Sequence, residues 1–269
     1  MSACPPDSTS RSVTGIVLED DLSLARAQSL SADLDLPLLS PDTAAAATSP
    51  RDMLLAVMSD GLELRSDMGT LRIDYLLGPQ AQRLARSTGF KEPLSRALGL
   101  QARTPQSVLD ATAGLCRDAF LLSSLGVEVC AVERNPVVGA LVSDAIQRAT
   151  QFQAPDHPLT HLKIQIGEAR TVLEQLAADE RPDAIYLDPM FPPRRKSSLV
   201  KKEMRILAEL TGGATSESEL AELLSTALQA ANKRVVLKRP TEAPATTAVR
   251  PPDHTIQGGR TTRYDVWLT

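Results

Sequence analysis

Three carboxylates in this 269-residue chain stand where chemistry is done, each closing a short apolar run: Asp110 in SVLDATAG, Glu133 in EVCAVERN and Asp188 in AIYLDPMFPP. An apolar run that ends in an acid and a tight turn is how a strand delivers a side chain to the rim of an open α/β sheet, where ligands bind. Gly114 supplies the turn after Asp110, at a point where backbone must pass close to a ligand. Glu133 follows Asp110 by 23 residues. In nucleotide-binding sheets an acid about 20 positions on accepts hydrogen bonds from ribose hydroxyls.

The glycine-rich phosphate fingerprint is missing, because Gly114 is the only glycine between Asp110 and Leu125. A pyrophosphate would find no cradle of backbone amides there. An adenosine cofactor without phosphates suits the pattern better, and S-adenosylmethionine (SAM) is the common one. Its methionine end is zwitterionic. Asp110 and Asp118 are expected to face the ammonium, and Arg117 the carboxylate. The competing reading is plain: Arg117 and Asp118 as ordinary charges in a first helical turn, and Glu133-Arg134 as a solvated strand end.

The third acid opens a different kind of loop. Pro189, Pro192 and Pro193 leave the backbone after Asp188 few conformations, so DPMFPP is a rigid platform carrying one carboxylate and one aromatic ring, Phe191. Methylating an exocyclic amine on a base calls for that pair. The amine lone pair is delocalised into the ring, and acceptors for its two N–H groups turn the lone pair outward. An aromatic face stacks on a splayed-out base. Asp188 and Phe191 are therefore the candidate catalytic residues. The alternative is a turn in which Asp188 caps the loop and Phe191 joins the core. RRKSSLVKKEMR follows, with Arg194, Arg195, Lys196, Lys201, Lys202 and Arg205 set against Glu203 alone. On a chain of net charge −4 this run is a local anomaly, placed where phosphate contacts would position RNA. Lys238 and Arg239, at the end of VVLKRP, are expected to extend it.

The elements that must hold these residues alternate. Strands are expected at Ser107–Ala111, Glu128–Val132, Leu162–Ile166, Ala184–Leu187, Arg234–Lys238 and Tyr264–Leu268. Helices are expected at Arg117–Leu125, Pro136–Thr150, Ala169–Ala178, Ser198–Leu210 and Glu217–Ala231. That order argues for an α/β fold with a mostly parallel, doubly wound sheet. The last two strands, joined by a Pro-rich loop, would form an antiparallel edge. Upstream, residues 1–12 read as a disordered tail and 13–100 as a small α+β appendage, a possible RNA-contacting region. It holds a strand at Val13–Leu18, a helix at Leu22–Leu34 and a linker at Ser40–Arg51. A hairpin at Asp60-Gly61 follows, then a strand at Arg72–Leu76 and helix from Gln80 broken near Gly89 and Pro93. Residues 101–269 form the main domain.

Composition sets limits on partners. Apolar residues at 42% support a sizeable core, while aromatics at 3% make it aliphatic. No global positive field draws the chain to nucleic acid, so binding must be local. Cys4, Cys116 and Cys130 lack C-x-x-C spacing, and His157 and His161 flank Pro158 without an H-E-x-x-H motif, so no metal is expected. No apolar run is long enough to span a bilayer, and no membrane partner is expected. The expected location is the cytoplasm.

DATAGLCRDAFLLSSLGVEVCAVERNPVVGAL, IYLDPMFPPRRKSSLVKKEMR and KRVVLKRP closely resemble the RsmJ family, SAM-dependent guanine-N(2) methyltransferases of bacterial small-subunit (16S) ribosomal RNA. The likeness runs through most of residues 53–269. It implies a class I methyltransferase fold, SAM as cofactor, and small-subunit rRNA or the small ribosomal subunit as partner. DPMFP also looks like the D/N-P-P-Y/F motif of amino-methylating enzymes, with Met190 in place of the second proline. By resemblance, Arg117 and Asp118, Glu133 and Arg134, Glu168 and Ala169, and Asp188 fall on SAM-contact positions. Two departures stand out. Cys116 replaces a usual glycine, and QRLARSTGFKE is less basic and less Gly-rich than its family equivalent. The rival readings are an amino-methyltransferase for DNA adenine or protein, and a SAM-binding, non-catalytic ribosome assembly factor.

Overall fold

The computed structural model describes residues 11–47, 52–100, 106–151, 158–191, 202–244, 246 and 249–269. The chain divides into two compact units, one from Met1–Ile73 with Met190–Ala214, the other from Asp74–Pro189 with Thr215–Thr269. This division differs from the boundary expected near residue 100. The helix of residues 93–97 counts with the second unit because it packs on that unit's strands at 254–257 and 262–268, and the helix of residues 78–86 is tied to the same unit by Arg83 on Asp118.

The first unit is a five-stranded mixed sheet. Its elements are β1 (Ser12–Leu18), α1 (Leu24–Leu34), β2 (Leu38–Leu39), α2 (Pro41–Ala47), β3 (Asp52–Met58), β4 (Gly61–Ser66) and β5 (Gly69–Leu71), with strand order β2-β1-β3-β4-β5. The expected hairpin is present: β3 and β4 pair antiparallel with Met58 opposite Gly61, whose φ of 140° suits glycine. A later helix, Lys202–Leu210, buries Ile206 and Leu207 to complete the unit. Of the expected disordered tail, residues 1–10 lie outside the described residues, and Ser12 opens β1.

Two expectations here are corrected. Part of the proposed linker at Ser40–Arg51 is α2, because an alanine run has high helix propensity and the Ser40 hydroxyl accepts the Thr43 N–H at 3.1 Å. The strand expected at Arg72–Leu76 is instead Gly69–Leu71. Beyond it the Asp74 carboxylate accepts the N–H groups of Leu76 and Leu77, both at 2.9 Å, and turns the chain away.

The second unit opens with α3 (Gly78–Arg86) and α4 (Pro93–Ala97). It continues through β6 (Ser107–Asp110), α5 (Arg117–Ser123), β7 (Glu128–Glu133), α6 (Pro136–Gln151), β8 (Leu162–Ile166), α7 (Ala169–Glu174) and β9 (Ala184–Leu187). The chain leaves for Lys202–Leu210 (α8) and returns as α9 (Glu217–Ala230), β10 (Arg234–Pro240), β11 (His254–Gln257) and β12 (Thr262–Leu268). The sheet order is β11-β12-β10-β9-β6-β7-β8, parallel from β10 to β8, with β12 antiparallel to β10 and β11 antiparallel to β12. The loop expected before the last strand thus contains β11. With one apolar residue in HTIQ, it forms on the free edge that β12 offers rather than on its own pattern.

The central strands are continuous apolar runs buried on both faces: Val108, Leu109, Ile185, Tyr186, Leu187, Val235, Val236 and Leu237. Helix starts follow local chemistry. Asn135 Oδ1 accepts the N–H groups of Val137 and Val138 at 3.0 and 3.1 Å, with Pro136 at the first helical position of α6. Ser216 and Glu219 form a reciprocal capping box on α9.

Candidate active site

The chain runs from β6 to β7 and β8 on one side, then crosses to β9 and β10 on the other. The crevice outside β6 and β9 is therefore the switch point of the sheet, where such folds bind ligands. Asp110 ends β6, and Asp188 follows β9 by one residue. The loops are stitched together, since Ala111 N–H donates to the Tyr186 carbonyl at 3.0 Å and Asp188 N–H to the Thr112 hydroxyl at 2.6 Å.

Glu133, buried at the end of β7, shapes the loop after β6. One carboxylate oxygen accepts the Gly114 N–H at 2.9 Å and the other the Asn135 N–H at 2.8 Å. Burial nevertheless pushes Glu133 above the usual carboxylate range. Gly114 has φ 51°, and so does Cys116, the residue before α5. A side chain at that φ is uncommon, which is where the resemblance expects glycine. Cys116 is fully buried, and burial pushes its thiol well up.

A network of charges lies beside this loop. Asp118, in the first turn of α5, accepts Arg83 Nη2 at 2.5 Å on one oxygen, and on the other the Tyr186 hydroxyl at 2.6 Å and Lys238 Nζ at 3.0 Å. Lys238 also donates to Asp188 Oδ2 at 2.7 Å. Burial works against Asp118, but Lys238 and Arg83 outweigh it and hold the carboxyl well below its ordinary value. Burial also works against Lys238, and the two carboxylates outweigh it and keep the ammonium charged. Burial pushes Asp188 up, opposed by Lys238. The Asp188 side chain is 36% exposed against 8% for Asp118, so Asp188 is the one of the pair that presents itself to a ligand.

The second unit brings together Asp110, Gly114, Asp118, Glu133 and Asp188. Arg117 is half-buried on α5, Arg134 is exposed after β7, and Glu168 is exposed ahead of α7 with Ala169 buried behind it. Phe191 is half-buried, three residues past Asp188 along the chain. Lys202 is exposed at the start of α8, while Arg194, Arg195, Lys196 and Lys201 lie outside the described residues. Lys238 and Arg239 do not extend a surface patch. Lys238 is in the carboxylate cluster, and Arg239 is buried with its guanidinium on Thr246 and near Glu217. Arg83 and Tyr186 went unmarked in the sequence, since their partners lie 35 and 68 residues away. Among the described residues no group of three or more His, Cys, Asp or Glu is arranged for a metal, and no helix is long and apolar enough to cross a membrane.

The donor set suits an adenosine sulfonium ligand. Glu133 accepts the N–H groups of Gly114 and Asn135, one on each oxygen, and an acid at this strand end suits ribose hydroxyls. Asp110 is buried, holds the Thr112 N–H at 3.2 Å, and is pushed up to about 8 by burial. A carboxyl in that state is one that an arriving cation would ionise.

Comparison with known proteins agrees. The SAM-dependent methyltransferase family model matches residues 42–269. The chain is 41% identical over 248 residues to ribosomal RNA small subunit methyltransferase J of Thioalkalivibrio sulfidiphilus, covering 91% of this chain and 93% of the relative. It is 38% identical over 257 residues to the protein of the same name from Nitrosococcus oceani, covering 95% and 98%. A crystal structure of a SAM-dependent methyltransferase from Neisseria gonorrhoeae superposes with a TM-score of 0.70 at 30% identity, over 95% of this chain and 96% of that one.

Proposed function

The chain belongs to the family of ribosomal RNA small subunit methyltransferase J, the RsmJ family, and from that premise we propose that it methylates the exocyclic N(2) amine of a guanosine in small-subunit (16S) ribosomal RNA, in the cytoplasm. The observation that carries the reading is Asp188. It is the more open of the two carboxylates that Lys238 bridges, at the switch point of the sheet and at the head of a proline-rich sequence.

SAM supplies an electrophilic methyl group on a sulfonium centre. The protein's part is to bind, orient and present. Glu133 takes the ribose hydroxyls. Asp110 biases the site toward a cation, and Asp118, whose charge Arg83 and Lys238 already balance, acts through them. Arg117, Arg134, Glu168, Ala169 and the Gly114 backbone line the remaining contacts expected for the cofactor. Asp188 accepts one N–H of the guanine amine, the Pro189 or Met190 carbonyl accepts the other, and Phe191 stacks on the base. Rate then comes mainly from positioning. No strong general base is required, because the amine becomes acidic as it is alkylated and loses its proton late. Arg194, Arg195, Lys196, Lys201 and Lys202, with the N-terminal region, are the parts assigned to RNA.

The test is methyl transfer from labelled SAM to small ribosomal subunits, or their rRNA, lacking the native methylation, followed by nucleoside analysis. N(2)-methylguanosine is the expected product. Asp188→Ala should cut turnover by orders of magnitude with SAM saturating, Asp188→Asn should retain some activity, and Phe191→Ala should lose less than Asp188→Ala. An Asp188→Ala enzyme working at the parent rate would make the platform structural.

A further inference from the structure

Lys238 has no assigned role in the reaction, yet it stands in the middle of the charge cluster. Register places it there: Leu237 pairs with Leu187 across β10 and β9, so Lys238 emerges beside Asp188, and across β12 it faces Tyr264. Its ammonium touches Asp188 Oδ2 at 2.7 Å and Asp118 Oδ2 at 3.0 Å. Among the described residues no hydrogen bond reaches Asp188 Oδ1. One carboxylate oxygen is thus committed to the lysine and the other is open.

We propose that Lys238 is a positioning residue for methyl transfer: its ammonium pins Oδ2 of Asp188, keeps that carboxyl ionised, and leaves Oδ1 to accept the amine N–H of the target base. The inference rests on the reading of Asp188 as the amine acceptor. Charge counting supports it. Two carboxylates this close do not both ionise unaided. Asp118 has Arg83 as its own cation, so Lys238 is what lets Asp188 carry a charge beside it. The other groups that face Asp188 are Asp110 from β6, Tyr186 from β9 and Tyr264 from β12, together with Asp118 from α5 and Arg83 from α3. Among the described residues, Lys238 is the cation in contact with it. Lys238 itself is not a base in the reaction, since the two carboxylates hold its proton.

The experiment is the pH dependence of kcat for the parent, Asp188→Asn and Lys238→Met, with SAM and undermethylated small subunits saturating. The parent should lose activity on an acid limb as Asp188 protonates. Asp188→Asn should be slow and lack that limb; if it keeps the limb, the reading of Asp188 itself fails. Lys238→Met should show the limb displaced to higher pH by about one to three units, the usual effect of removing an adjacent opposite charge. A folded Lys238→Met enzyme with its acid limb where the parent has it would overturn the inference, whatever its plateau rate, because a merely structural lysine changes rate or stability without moving that limb. Should Lys238→Met fail to fold, Lys238→Gln keeps a polar donor of similar length without the charge and carries the same measurement, with the same displaced limb expected and an unmoved one decisive against the inference.

Discussion

On the proposed reading Glu133 serves two partners at once: its backbone bonds set the Gly114 loop, and its carboxylate also takes the ribose hydroxyls. Glu133→Ala should therefore weaken SAM binding by about 1.5–3 kcal/mol, the range for a lost charge-assisted bond. Glu133→Gln, which keeps one acceptor oxygen, should lose less. Calorimetry on folded variants checks this, and unchanged affinity would remove the assignment. Asp110 makes a pH prediction. Its carboxyl is raised to about 8 in the folded chain, above the unfolded value of about 4. The stability tied to its proton is fully present below the unfolded value and is lost as pH rises through about 8. Asp110→Asn should flatten that slope, melting higher than the parent at pH 9 without SAM, while binding SAM less tightly because no carboxylate forms opposite the ammonium. Thermal melts at pH 5 and 9, with and without SAM, decide it; a slope equal to the parent's would place the titration elsewhere.

At the scale of elements, caps that are written locally are open to direct test. Ser216→Ala removes the side-chain acceptor at the head of α9 and half of the capping box. It should cost about 1 kcal/mol of stability, read in denaturant unfolding, and leave SAM affinity alone. Elements of this sort were legible beforehand. Strands β6, β7 and β9 are apolar runs closed by acids, and Asn135-Pro136 and Asp60-Gly61 announce a helix start and a hairpin. What was hidden depends on partners distant in sequence. β11 exists because β12 offers an edge, and Arg83 points inward because Asp118 is there. Lys238 follows the apolar run of β10 and lies 50 residues after Asp188, so in sequence it reads like any cation near a phosphate. Only the register of β9 and β10 turns it toward a carboxylate. The assignment of Arg134, Glu168 and Ala169 came from resemblance, since they carry no pattern of their own, whereas Asp110, Arg117, Asp118 and Glu133 were readable from their places at strand ends and in a first helical turn.

Over the whole molecule, electrostatics has to be local. A chain of net charge −4 gains nothing from its average field in approaching rRNA, so the run from Arg194 to Lys202 should account for much of its salt dependence. Neutralising Arg194, Arg195, Lys196, Lys201 and Lys202 together should weaken RNA binding and flatten the plot of log affinity against log salt, with SAM affinity nearly unchanged. An unaltered slope would make the run a solvated face. The same run lies in the stretch Met190–Ala214, which belongs to the first unit although it is encoded inside the second. That discontinuity bears on recombination. A chimaera of two relatives with a single crossover anywhere between residues 74 and 189 takes β5 from one parent and the helix packed on it, α8 with Ile206 and Leu207, from the other. Exchanging this unit intact takes three junctions, at 73/74, 189/190 and 214/215, and libraries shuffled at one site should be depleted of folded members unless the parents agree at those buried positions.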